Sequence, residues 1–293
     1  MKSLHGVGVA MVTPFDKDLN VDQAALEKLT EHLINHGADY LVVQGTTGES
    51  ATLSADEKTT VLEKIKEVNA SRLPIVLGIG GNNTSAVVQE ITSRDLDGIS
   101  AILSASPSYN KPTQEGIYSH YQALSKASKL PLILYNVPGR TASNISARTT
   151  LRLANDFENI IGIKEASADM DQVMQIINRK ADDFMLISGE DGLTFPITAC
   201  GGVGVISVVA NVFPGDFSKM IRLTQSGNLE EARKIHYKLM DFISLLFAEG
   251  NPGGVKSALK TMGICDDHLR LPLVPVSEEL AASIKQTVNG LLK

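Results

Sequence analysis

The chain has 293 residues, 43% hydrophobic and 20% charged, which excludes a disordered or fibrous protein and leaves two domains or one large α/β barrel. Its 27 basic against 33 acidic residues give a net charge of −6, the wrong sign for a nucleic-acid binder. The two cysteines, Cys200 and Cys265, are too few for a disulfide framework and read as small buried thiols of a cytoplasmic protein.

Apolar, β-branched runs begin near Val7, Tyr40, Ile75, Ile99, Leu132, Ile160, Met185 and Val203, 18 to 35 residues apart. Most gaps carry apolar residues at helical spacing, so the pattern is βα repeated eight times. Asp22 caps a first helix that stops at Gly37, Ser54 and Glu57 form a capping box, and Thr84, Thr113 and Ser146 are further expected N-caps. Strand runs that are apolar on both faces need cover on both sides, as in a (β/α)8 TIM barrel with a helical jacket.

Val7 to Val12 is shorter than the apolar core of a secretory signal. The most apolar window, Val203 to Phe213, is 11 residues, about half of what a membrane span needs. After the eighth strand, Pro214 starts the last barrel helix and Gly227-Asn228 interrupts the chain. Leu229, Ala232, Ile235, Leu239, Phe242, Ile243 and Leu246 then share one helical face, and Ser277 with Glu278 and Glu279 opens a final helix. The expected division is a catalytic barrel, 1–226, and a C-terminal helical domain, 227–293.

In such a barrel, function belongs to the residues just past each strand. Lys164 closes the run Ile160 to Ile163. An ammonium is costly to desolvate, so this position favours the free amine that attacks carbonyls; a strand-end salt bridge with Glu165 is the competing reading. Tyr135, one strand away, offers a hydroxyl for proton transfer, with Thr46 within a relay. Gly45-Thr46-Thr47-Gly48 sets two hydroxyls and backbone N–H groups in a turn suited to a small carboxylate, and Arg140 offers a planar fork to a second. Taken singly, these are also a rim tyrosine, a plain turn and a solvated arginine. His32 and His36, four residues apart, lack the glutamate of a zinc-protease motif, and Gly78-Ile79-Gly80-Gly81 lacks the spacing of a nucleotide loop. Neither motif therefore marks a metal or nucleotide site, and the absence of a metal or cofactor is implied only by the resemblance that the following segments carry.

Four segments in register, Gly45-Thr46-Thr47-Gly48-Glu49-Ser50, Ser106-Pro107-Ser108-Tyr109-Asn110, Tyr135-Asn136-Val137-Pro138-Gly139-Arg140 and Gly162-Ile163-Lys164-Glu165-Ala166, resemble the dihydrodipicolinate synthase family of class I pyruvate-dependent aldolases, within the N-acetylneuraminate lyase superfamily. The resemblance implies a Schiff base between Lys164 and pyruvate, proton transfer by Tyr135, and a relay through Thr46 and through Tyr109 of a neighbouring subunit. It implies that Thr47 and the Ile206 backbone hold the pyruvate carboxylate, that Gly189 lines the substrate position, and that Arg140 binds the carboxylate of L-aspartate 4-semialdehyde. The partners implied are those two substrates and, in a homotetramer built as a dimer of dimers, further copies of the chain; neither nucleic acid nor membrane is among them. The product would feed lysine and diaminopimelate synthesis. Feedback by lysine is expected to be weak, because Ala86 and Ser108 stand where regulated members carry a carboxylate and an aromatic ring. Two alternatives remain: a lyase for N-acetylneuraminate or a 2-keto-3-deoxy sugar acid, against which Arg140 and the Thr46-Thr47 pair argue, and a catalytically silent keto-acid sensor.

Overall fold

The structure is a computed structural model that describes residues 4–292. Eight strands, β1 (Gly6–Ala10), β2 (Tyr40–Val43), β3 (Ile75–Gly78), β4 (Ala101–Ala105), β5 (Leu132–Asn136), β6 (Ile160–Glu165), β7 (Met185–Ser188) and β8 (Gly204–Ser207), close in sequence order into a parallel barrel. This is the TIM barrel that the repeated βα pattern predicts. The helices between and after them are α1 (Gln23–Asn35), α2 (Ala55–Asn69), α3 (Thr84–Ser93), α4 (Gln114–Ala127), α5 (Pro138–Thr141), α6 (Ala147–Asp156), α7 (Met170–Arg179), α8 (Thr194–Ala199) and α9 (Pro214–Gln225). A C-terminal helical segment adds α10 (Leu229–Phe247), α11 (Gly253–Thr261) and α12 (Glu278–Leu291).

The described residues form two compact units, one of residues 74–206 and one that joins those up to 73 with those from 207 on. In the first, every residue of β5 and β6 is buried, as doubly covered strands require. Each Ile of β6 withdrawn from water contributes about 1.5–3 kcal/mol. Two details differ from the sequence pattern. Strand β4 starts at Ala101, not Ile99, because the Ile99 N–H is spent in a turn on the Leu96 carbonyl. Asn83, not Thr84, caps α3: its carboxamide oxygen accepts from the Ser85 and Ala86 N–H groups at 3.1 and 3.3 Å, while the Thr84 hydroxyl lies 2.9 Å from His120 Nδ1. The amide oxygen of an extended Asn83 reaches two N–H groups of the first turn, and one cap leaves the next hydroxyl free for another partner.

In the second unit, the Ser54 and Glu57 capping box forms at α2, Asp22 caps α1, and Ser277 caps α12. Leu229, expected on the buried face, is 47% exposed in the first turn of α10; the face proper begins at Ala232. The C-terminal segment is bound back by Arg270, whose guanidinium donates to Glu57 Oε2 at 2.8 Å and Oε1 at 2.5 Å and to the Thr52 and Leu19 carbonyls. It also lies 4.4 Å from the centroid of the buried Phe15 ring.

The hydrogen bonds from Arg270 hold the Glu57 carboxyl at about 2, below its ordinary 4.5, against the opposing effect of burial. A carboxyl depressed in the folded state adds stability above its unfolded value and loses that contribution as the pH falls from 4.5 toward 2. Denaturant unfolding of wild type and Arg270→Ala should therefore show a stability gap that is flat above about pH 6 and narrows progressively in acid. A gap that stays constant down to about pH 3 excludes this linkage.

Candidate active site

Lys164 and Tyr135 are cross-strand partners at the ends of β6 and β5. Paired residues of parallel strands face the same side, and successive residues face opposite sides. Lys164 and Tyr135 therefore share one face, and Asn136 and Glu165, paired one step on, share the other. Lys164 is 6% exposed, Tyr135 is buried as well, and the Lys164 ammonium nitrogen stands 4.3 Å from the Tyr135 ring centroid.

The salt bridge between Lys164 and Glu165 that the sequence leaves open does not occur among the described ion pairs. Glu165 faces away and accepts from Asn136 Nδ2 at 3.0 and 3.1 Å, Gln172 Nε2 at 2.9 Å and the Ser167 N–H at 2.9 Å. Burial raises its pKa, and hydrogen bonds from Ser167, Gln172 and Asn136 pull it back.

Three other predicted residues belong to the same unit. Gly189 follows β7, and its N–H donates to the Glu165 carbonyl at 2.7 Å. A Cβ there would stand 2.6 Å from that of Ala166, so only glycine lets the two strand ends approach so closely. Ile206 is buried within β8. Arg140 is exposed on α5, a single turn started by Pro138, with its N–H on the Val137 carbonyl at 2.9 Å. The half-buried Glu190, for which the sequence suggested no role, belongs to the same field. Burial and Asp191 raise its pKa, and the cations of Lys164 and Arg140 lower it. Its position directly after a strand end was the available signal.

Tyr109 lies on the loop after β4, 89% exposed and left-handed at φ +69°. Beside it, the Ser108 N–H and hydroxyl both donate to Asn82 Oδ1, at 2.9 and 3.0 Å.

Thr46 and Thr47 belong to the other unit. They form a single 3-10 turn with Gly48 after β2, Thr46 exposed and Thr47 3% exposed. The Thr47 hydroxyl oxygen accepts from Asn251 Nδ2 at 3.0 Å, and the Thr13 hydroxyl donates to the Gly48 carbonyl at 2.7 Å. Glu49, with no side-chain exposure, pairs with the equally buried Lys256 at 2.5 Å and accepts the Arg270 N–H at 3.2 Å. Lys256 also donates to the His268 carbonyl at 2.8 Å and lies 4.2 Å from the Phe15 ring centroid. Burial lowers the Lys256 pKa, and Glu49 opposes that shift. The brace formed by Lys256 and Arg270 escaped the sequence reading because its members are more than 200 residues from the loop they hold.

A (β/α)8 barrel whose sixth strand ends in a buried amine beside a tyrosine is the class that fold and site define. The model of the dihydrodipicolinate synthetase family matches residues 3–291, and the chain belongs to that family. It is 53% identical over 293 residues to the 4-hydroxy-tetrahydrodipicolinate synthase of Flavobacterium psychrophilum, covering 100% of both chains. Among solved structures, the dihydrodipicolinate synthase of Thermotoga maritima is 39% identical with a TM-score of 0.95, covering 98% of each chain. A monomeric dihydrodipicolinate synthase variant is also 39% identical, with a TM-score of 0.96, covering 99% of this chain and 97% of its own.

Replacing Gly189 with Ala forces a methyl group against Ala166, a overpacked contact that costs about 1–3 kcal/mol. Denaturant unfolding of Gly189→Ala measures this directly; unchanged stability would show that the ends of β6 and β7 give way freely.

Proposed function

We propose that the chain is a 4-hydroxy-tetrahydrodipicolinate synthase that condenses pyruvate with L-aspartate 4-semialdehyde in lysine and diaminopimelate synthesis. The observation that carries this reading is the buried Lys164 amine set against the Tyr135 ring, with no carboxylate among the described residues in an ion pair with it. The amine adds to the pyruvate ketone, and one water leaves as the imine forms. Loss of a methyl proton from the protonated imine gives an enamine, whose carbon attacks the semialdehyde carbonyl. The substrate's own amine then displaces Lys164, closing the ring and restoring the free lysine. The protonated imine is the electron sink, so the scheme calls for no metal or organic cofactor. The loss of water places the reaction with the carbon–oxygen lyases.

In this scheme Tyr135 passes protons, Thr46 relays them, and Tyr109 completes the relay from a neighbouring subunit. Thr47 and the Ile206 backbone take the pyruvate carboxylate, with Gly189 beside it. The Asn251 amide supports the role of Thr47: by donating to the hydroxyl oxygen it leaves the hydroxyl hydrogen to be offered to an anion. The exposed guanidinium of Arg140 takes the semialdehyde carboxylate. An aromatic ring held in solvent on a left-handed residue supports a shared site at Tyr109, and with it a homotetramer of two such dimers. No described helix is long and apolar enough to cross a membrane, and the reading puts the enzyme in the cytoplasm. Catalysis is assigned to residues 1–226 and a helical domain to residues 227–293, from which Asn251 and Lys256 brace the loop of Thr47.

Incubation with pyruvate and borohydride should attach a reduced keto-acid adduct to Lys164, located by peptide mass spectrometry, and Lys164→Ala should neither trap pyruvate nor turn over. An unmodified Lys164 ends this reading.

Lysine at millimolar concentration should leave turnover nearly unchanged. Ala86 supplies no counter-charge, which weakens binding by about 1 kcal/mol or more, and Ser108 already occupies Asn82 Oδ1. Half-inhibition at submillimolar lysine in the coupled assay contradicts this.

A further inference from the structure

The ladder between β5 and β6 is irregular: pairing passes from Leu132 with Ile160 to Ile133 with Gly162, skipping Ile161. A one-residue slip turns every side chain to the opposite face, and here it would remove Lys164 from Tyr135. Above the irregularity, the residues directly after the functional pair are tied to each other. Asn136 and Glu165 are both fully buried, and the Asn136 amide nitrogen spans both Glu165 oxygens. The same nitrogen donates to Asn144 Oδ1 at 2.7 Å, and Asn136 Oδ1 accepts the Ile145 N–H at 2.9 Å. That last bond fixes the amide's orientation, since a flipped amide would set its nitrogen against an N–H. Gln172 closes the group, donating to Glu165 Oε2 and accepting from Asn144 Nδ2 at 2.8 Å.

We propose that Asn136 and Glu165 are positioning residues for the reaction, a register clamp on the far side of β5 and β6 that keeps the Lys164 amine against Tyr135. The proposal rests on the Schiff-base reading above. Glu165 meets only donors, so it must be an acceptor at both oxygens. Glu165→Gln preserves shape and inverts one contact, placing NH2 against NH2 or against the Ser167 N–H. Asn136→Asp with Glu165→Gln reverses the donor and acceptor and retains one carboxylate in the group.

The test follows pyruvate adduct formation under borohydride and steady-state turnover in wild type, Glu165→Gln and the double variant, with thermal unfolding recorded for each. Glu165→Gln should lose about 10- to 100-fold in adduct formation and kcat, as expected for reacting groups displaced by about an ångström, with a smaller change in pyruvate KM. The double variant should recover most of the loss. If Glu165→Gln does not fold, Glu165→Asp, which keeps the charge and withdraws it from Asn136, should show a comparable loss in kcat. Wild-type rates in a folded Glu165→Gln or Glu165→Asp, or a folded double variant as slow as the single, overturn the clamp. Wild type that forms no adduct overturns the Schiff-base reading and the clamp with it.

Discussion

A β-strand sends consecutive side chains to opposite faces, and at the ends of β5 and β6 this constraint separates the candidate reacting pair from the residues proposed to support it. Lys164 and Tyr135 occupy one face, Glu165 and Asn136 the other. Glu165, one residue on, is thereby turned away from Lys164 and pairs with Asn136. The same carboxylate instead organises the amides of Asn136 and Gln172 behind the strands, and the amine stands against the Tyr135 ring.

Two buried carboxylates thus stand beside candidate functional residues, and they are stabilised in different ways. Glu49 is neutralised by the full charge of Lys256, whereas Glu165 is surrounded by neutral N–H donors. Removing one partner of a buried pair costs about 3–5 kcal/mol, because the remaining charge is left uncompensated. That penalty opposes loss of either partner of the Glu49 brace, which follows the turn of Thr46 and Thr47. Around Glu165 the support is divided among several weaker bonds, each worth about 0.5–3 kcal/mol, so geometry can be perturbed there without stripping a charge of its only partner.

The eight-fold βα pattern was legible because strand burial and helix amphipathicity are local, periodic properties, and the caps at Ser54, Asp22 and Ser277 were legible because a cap reaches only three residues ahead. Thr84 misled because Asn83 and Thr84 are both capping types, and only the backbone path decides between them. Lys164 and Tyr135 could be picked out as chemically unusual strand-end residues. Their supports could not: Asn136, Gln172 and Lys256 are ordinary polar residues whose partners lie 29, 7 and 207 positions away. A sequence exposes a residue whose type clashes with its local pattern, and conceals one whose meaning comes from a distant partner.

Backbone strain is distributed in a way that agrees with this division. Gln44 and Glu49, at φ +60° and +50°, bracket the Thr46-Thr47 turn, and Tyr109 stands at φ +69°. None is a glycine, and left-handed backbone costs such residues roughly 1–2 kcal/mol each. Such conformations persist only where surrounding structure over-determines them. For Glu49 that structure is Lys256 and the Arg270 N–H; for Gln44 it includes the side-chain bond to the Lys58 carbonyl. Tyr109 has no equivalent depth of packing, since its ring is in solvent and its loop is fixed chiefly through Ser108 on Asn82. A strained, solvent-facing aromatic gains most from a surface that buries the ring, which is the reason the proposed function seats Tyr109 against a neighbouring subunit.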